Sequence, residues 1–387
     1  MTRLRSFGAV ATVACATFLA VPATGSAVGR SGATDVPTCF GLPATIVGTP
    51  GDDVITGTNG LDVIVGLDGR DVIHGGAGDD RICSGDNPYI SDEEHGRPVI
   101  GEQVYGDLGD DWIAAGRGVD QVSGGQGNDV IDLGSNPGTE FDGIFESAVG
   151  GPGDDVIFGR TGDDALFGGP GDDVLDAGYG GDLVLGGPGD DELSGGPGDD
   201  ELIGGKGADD VQGGGGSDDL FERPDRYRDR FVGGYGNDLM SVSTLPSPVG
   251  ADGDTYYGGP GADRIDARGG NDVVYGGLGE DVVSGGNGDD RLYGGPGADV
   301  VIGQPGDDVV VGLTGDDGLS GGPGNDLLSG GRGHDLLRGY AGRDRLRGGP
   351  GPDVLRGGLG VDRNDGGLGI DTCTSPSRPP GAVRCER

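Results

Sequence analysis

The residues with the clearest capacity for chemistry are aspartates set nine apart, as in Asp173, Asp182, Asp191 and Asp200. Each closes the same local sequence, seen most plainly in Gly186-Gly187-Pro188-Gly189-Asp190-Asp191-Glu192-Leu193-Ser194 and in the unit that follows it without a break. The unit reads Gly-Gly-x-Gly-x-Asp-x-(apolar)-x. Carboxylates that return in phase beside turn carbonyls are a supply of hard oxygen ligands, the donor type that cations such as calcium take. The candidate ligands at the sixth position are Asp53, Asp62, Asp71, Asp80, Asp111, Asp120, Asp129, Asp155, Asp164, Asp173, Asp182, Asp191, Asp200, Asp209 and Asp218. The later runs add Asp263, Asp272, Asp281, Asp290, Asp299, Asp308, Asp317, Asp326, Asp335, Asp344 and Asp353.

A fixed period of this length marks a solenoid, in which each unit stacks on its neighbours. The fourth position is Gly, which suits a turn at positive φ or a close backbone approach. The eighth is apolar, as at Ile55, Leu193, Val301 and Leu355, between flanks that are often polar. One inward side chain per short strand follows from that alternation. The expected class is all-β: a solenoid of stacked short strands joined by Gly- and Asp-rich turns. Asn364 and Cys373 depart from the apolar rule near the end of the array, where a cap is expected.

The charge pattern carries the next step. The formal net charge of −40 over 387 residues excludes nucleic acid and anionic membrane surfaces as partners, since both are bound through clustered Lys and Arg. If two units form one coil, aspartates eighteen apart lie about 4.8 Å from each other. Their repulsion at an effective dielectric of 20 is about 3.5 kcal/mol per pair before screening. The stack therefore needs a cation between its carboxylates. Calcium suits six to eight oxygen ligands, whereas magnesium demands a tighter octahedron and zinc prefers nitrogen and sulfur. The three histidines, His74, His95 and His334, are not grouped and read as ordinary positions.

These units resemble the haemolysin-type calcium-binding repeats of the RTX family, whose nonapeptide pattern they match at the Gly and Asp positions over many copies. The resemblance implies a parallel β-roll solenoid in which six residues of each unit turn and three form a strand, with calcium held between the Gly- and Asp-rich turns of successive coils. It implies that Asp173 with Asp191, and Asp290 with Asp308, bind on one edge, while Asp182 with Asp200, and Asp299 with Asp317, bind on the other. Turn carbonyls would complete each shell. Ala115, Ala177 and Ala267 replace the first Gly, a mild departure. The last units carry Arg332, Arg338, Arg343, Arg345, Arg347, Arg356 and Arg363, which are expected to share in neutralising the stack and so to weaken the sites there.

Organisation follows from the runs of units. Residues 1–27 read as a secretory signal, with Arg3 and Arg5 before an apolar stretch from Phe7 to about Val21 and small residues Gly25-Ser26-Ala27 at its end. Residues 28–47 form an N-terminal cap, and β-roll runs cover 48–83, 106–132, 150–221 and 258–374. Insertions fill 84–105 and 133–149, further insertions in 222–257 surround an isolated unit at 233–241, and 375–387 form a C-terminal cap. The expected location is extracellular. Loss of the leader removes Cys15 and leaves four cysteines, which in an exported chain favour disulfides. Cys39–Cys83 and Cys373–Cys385 are preferred among the three pairings because each staples one end of the array.

No catalytic site emerges. Gly318-Leu319-Ser320-Gly321-Gly322 fits a nucleophile elbow but lies in phase with the repeat, and glycine alone produces the dinucleotide-type patterns. The insertion 84–105 gathers Asp86, Asp92, Glu93, Glu94, His95 and Glu102, read as a solvated loop with an extra metal site or an acid pair as alternatives. Arg223, Arg226, Tyr227, Arg228 and Arg230 are read as packing over a break in the stack, with partner binding the alternative. Trp112, Tyr256 and Tyr257 are the residues on which glycan binding would rest. The reading is a secreted calcium-binding repeat protein that is not an enzyme, with no membrane insertion and any cell-surface or matrix partner unknown; a secreted hydrolase or glycan-binding adhesin is the alternative.

Overall fold

The computed structural model describes residues 36–85, 101–135, 145–223, 226–242, 253–374 and 383–384. The chain divides after Val36, and the larger unit, Pro37–Arg387, is the one described below. The leader, the tip of the 84–105 insertion and most of the C-terminal cap lie outside the described residues.

Each unit sends one strand into one of two parallel sheets, and successive strands alternate between them. Leu183–Pro188 pairs with Glu201–Lys206 in one sheet, and Glu192–Pro197 pairs with Asp210–Gly215 in the other. The register is eighteen residues, Leu193 against Val211 and Val184 against Leu202, so two units make one coil. Most strands are longer than the resemblance implies. Glu192–Pro197 runs six residues because ladder pairing continues from the three strand positions through the first three turn positions, Gly196 pairing with Gly214 and Pro197 with Gly215.

The alternation of side chains fixes what faces inward. Glu192 and Ser194 look out while Leu193 is buried between them, and the eighth residues of both sheets meet in one continuous core from Ile55 to Leu355. Phe231 and Tyr256 stack in that core with centroids 5.2 Å apart, taking the place of two aliphatic rungs. At the N-terminal end Cys39 bonds to Cys83, and with Val63 and Val65 it forms a small separate cluster. Cys373 is also disulfide-bonded, and Cys385, its expected partner, lies outside the described residues. Asn364 takes the apolar rung while buried at 1 % exposure, donating from Nδ2 to the Thr374 carbonyl at 3.4 Å. Among the described residues no helix is long and apolar enough to cross a membrane.

Candidate metal sites in two carboxylate ladders

The sixth-position carboxylates line up one per coil along each edge of the roll. On one edge the backbone N–H of Asp155 donates to Oδ1 of Asp173 at 2.8 Å, Asp173 to Asp191 at 2.9 Å, and Asp191 to Asp209 at 3.0 Å. On the other edge Asp164 donates to Asp182 and Asp182 to Asp200, each at 2.8 Å, and Asp200 to Asp218 at 3.0 Å. Each of these rungs thus fixes the carboxylate of the next one. The same bonds join Asp290 to Asp308 and Asp299 to Asp317, so all four pairs named from sequence are neighbours on the expected edges.

That bond uses one oxygen. The other, Oδ2, is buried with no hydrogen-bond partner at Asp173, Asp182, Asp191, Asp200, Asp290, Asp299, Asp308, Asp317 and most other rungs. It lies over the first residue of its own unit: a Cβ added to Gly186 would stand 2.4 Å from Asp191 Oδ2. A buried carboxylate oxygen without a donor costs free energy that a cation can offset. Burial is the main reason these acids hold their protons more tightly than usual, with neighbouring carboxylates adding to it against the opposing backbone N–H. Asp191 is pushed up to about 7, Asp200 to about 7, Asp182 to about 6 and Asp290 to about 8.

Second-position geometry decides whether Oδ2 is left alone. Gly169 at φ 120° turns its N–H along the stack to the Gly186 carbonyl at 2.9 Å, away from the aspartate of its own turn. The same left-handed backbone is imposed on Leu67, Asp107, Arg160, Arg268, Gln304, Leu313 and Tyr340, which hold this position at φ between 62° and 85°. In the first two units the second residue is threonine, and neither Thr49 nor Thr58 is among the positive-φ residues. Thr49 donates from N and Oγ1 to Asp53 Oδ2 at 2.5 and 2.9 Å, and Thr58 does so to Asp62 Oδ2 at 2.6 and 2.9 Å. Of the sequence candidates, Asp53 and Asp62 are therefore satisfied inside their own turns.

The ladders also continue through stretches read as insertions. Asp209 N donates to Asp229 Oδ1 at 2.9 Å, and Asp229 N to Asp254 Oδ1 at 3.0 Å; Asp238, from the isolated unit, bridges Asp218 and Asp263 on the opposite edge. Asp362 and Asp371 extend the two rows at the C-terminal end. Glu102 and Glu146 occupy two rungs outright, their neighbours Gln103 and Ser147 pairing in register with Gln121. Both oxygens of each glutamate are buried. Burial and the facing carboxyls of Asp120 and Asp164 push their proton affinity up, and such facing carboxyls can share only a proton or a cation. Glu102, Glu146, Asp229 and Asp254 keep the second half of the unit, acid-x-apolar-x-Gly, as in Glu102-Gln103-Val104-Tyr105-Gly106 and Asp254-Thr255-Tyr256-Tyr257-Gly258.

The donor set fits calcium in kind. Among the described residues no three His, Cys, Asp or Glu side chains converge on one point, so a shell must combine carboxylates of adjacent rungs with turn carbonyls. A ligand set of hard oxygens from side chain and backbone is the type calcium accepts. The C-terminal arginines do not enter these ladders. Arg338, Arg345, Arg347, Arg356 and Arg363 are exposed at strand positions on the outer faces, and no ion pair joins them to a ladder carboxylate among the described residues. The expectation that they share in neutralising the stack is corrected by that alternation: positions seven and nine point out where the sixth points along the edge.

A family model for the RTX calcium-binding nonapeptide repeat matches residues 45–69, 56–87, 103–137, 149–184, 185–220, 249–283, 275–310, 284–319, 302–337 and 338–373. The chain belongs to the RTX calcium-binding repeat family. Its repeats bind calcium in their turns. No curated protein matches the chain.

The residues held in reserve for other chemistry fall elsewhere. Trp112 carries Arg81 over its ring at 4.7 Å and the edge of Phe40 at 5.6 Å, which leaves little open face for a sugar. Tyr256 is in the core. Tyr257 stacks on Tyr275, and Tyr275 on Tyr293, at 5.1 and 4.9 Å. Asp86, Asp92, Glu93, Glu94 and His95 lie outside the described residues.

Proposed function

We propose that the ladder carboxylates hold calcium between successive coils, and that this RTX repeat protein is secreted and folds when it meets calcium outside the cell. Its role is then structural or interactive rather than catalytic. The observation that carries this reading is the run of buried, unpartnered Oδ2 atoms at most rungs of both edges, from Asp71 to Asp353. The glutamate rungs Glu102 and Glu146 and the rungs Asp229, Asp238, Asp254, Asp362 and Asp371 belong to the same system, whereas Asp53 and Asp62 need no ion. Bound calcium supplies the positive charge that lets like carboxylates stack; the chain's own backbone N–H groups orient each carboxylate for it. A disulfide at Cys39–Cys83 suits an oxidising compartment. Extracellular calcium modules bind at about 10⁻⁴ to 10⁻³ M, which leaves such a chain unfolded in a low-calcium cytoplasm. Circular dichroism of residues 28–387 titrated with calcium and with magnesium tests the proposal. Calcium is expected to induce the strand signal. Full signal in chelator, or an equal response to magnesium, would count against it.

A further inference from the structure

The outer faces of the roll are not uniform in charge. In the coils around residue 200, position seven carries acids in register: Glu201 beside Asp219 on one sheet, both exposed. Near the C-terminal end the outer faces carry arginines at the same rung spacing, Arg345 beside Arg363 on one sheet and Arg338 beside Arg356 on the other. All four are exposed and take part in none of the ion pairs formed among the described residues. Like charges on adjacent rungs stand about 4.8 Å apart and repel. The chain shows how this surface resolves such a row when the opposite charge is at hand: Arg230 and Asp210, adjacent at position seven, pair at 2.5 Å.

We propose that the arginine row Arg345/Arg363 docks on the Glu201/Asp219 face of a second copy of this chain. The two kinds of row share one pitch because both are set by strand spacing, so a guanidinium on each rung meets a carboxylate on each facing rung. Once calcium neutralises the ladders, the repulsion between two chains of net charge −40 falls and these local opposites remain. The docking surfaces differ, so the contact is heterologous and propagates as a staggered chain of copies rather than closing as a two-fold dimer.

Sedimentation velocity of the full chain in millimolar calcium, at low and at high salt, tests this. Concentration-dependent species larger than the monomer are expected at low salt and are expected to dissolve at high salt. The Arg345→Glu/Arg363→Glu variant is expected to weaken association about tenfold or more, and mixing it with Glu201→Arg/Asp219→Arg should restore association. Circular dichroism in calcium checks that each variant folds, with Arg345→Gln/Arg363→Gln replacing one that does not. A chain that folds with calcium but stays monomeric, or associates without regard to either pair, overturns the docking and leaves the calcium reading intact. Retention of the native chain on immobilised polygalacturonate that the arginine variant loses, with its sedimentation unchanged, would assign the row to an anionic polymer and also overturn it.

Discussion

At Asp53 and Asp62 the second carboxylate oxygen is met by a threonine of the same turn, while at Asp191 and most later rungs it is buried and unpaired. The two regions share sheet, register and core, so the difference rests on one residue per unit. Threonine keeps an ordinary φ and points its N–H and hydroxyl inward. Glycine at positive φ spends its N–H on the next coil, which tightens the stack and leaves the carboxylate to be satisfied from outside the chain. The first turns thus satisfy their carboxylates within the chain, next to the Cys39–Cys83 staple, and the later ones leave an oxygen that the proposed calcium would meet.

The largest test of this contrast is removal of calcium, read by hydrogen exchange. Strands from Val174–Tyr179 to Arg345–Pro350 are expected to lose protection by about a hundredfold or more on chelation. The strands Val54–Thr56 and Val63–Val65 should lose least. Equal loss in both regions would break the comparison, because it would mean that the threonine bonds do not replace the ion.

Acidity offers a second, smaller effect in chelator. The ladder acids have raised folded-state proton affinity, to about 7 at Asp191, Asp200 and Asp317 and about 6 at Asp182 and Asp281, against 3.8 for an ordinary aspartate. Between these values the folded chain binds more protons than the unfolded one, so stability rises as pH falls from about 7 towards 4. Protonation then does part of the work of calcium by removing the buried charge. Strand signal in chelator is expected to grow over that window and to be absent above it. With calcium present the trend reverses, since protons compete for the same oxygens. A chelated chain whose strand content ignores pH would show that charge on the ladder is not what prevents stacking.

Much of this is legible in the sequence. The inward eighth residue follows from a period that local sequence states many times, and the pairing of Asp173 with Asp191 from adjacent coils follows from the resemblance to the RTX repeats. What escaped notice has a physical reason. Glu102, Glu146, Asp229 and Asp254 lack the glycine half of the unit that precedes the acid, yet a rung needs only the acid and the inward residue two places after it. The threonines escaped because the period by itself assigns position two no task, whereas its φ decides the direction of an N–H. The outward arginines were misplaced by reasoning from net charge instead of from the alternation of the strand.

The smallest and sharpest test is Thr58→Val. The substitution keeps β-branching and volume but removes Oγ1, which donates to Asp62 Oδ2 at 2.9 Å and accepts from the Gly60 N–H at 3.2 Å, leaving the Thr58 N–H at 2.6 Å in place. Loss of one hydrogen bond to a charged group costs about 1.5 to 3 kcal/mol where it is buried, and nearer 1 kcal/mol where, as here, it is partly open to water. Two results are expected together: a modest fall in denaturant midpoint in calcium, and no change in the number of calcium ions bound, because this rung takes none. If Thr58→Val instead raises the calcium count by isothermal titration, the freed oxygen has recruited an ion, and threonine and calcium are interchangeable ligands of one kind of site. An unchanged midpoint with an unchanged count would mean that the N–H alone satisfies the carboxylate, so that the backbone angle at position two, rather than the hydroxyl, separates the two regions.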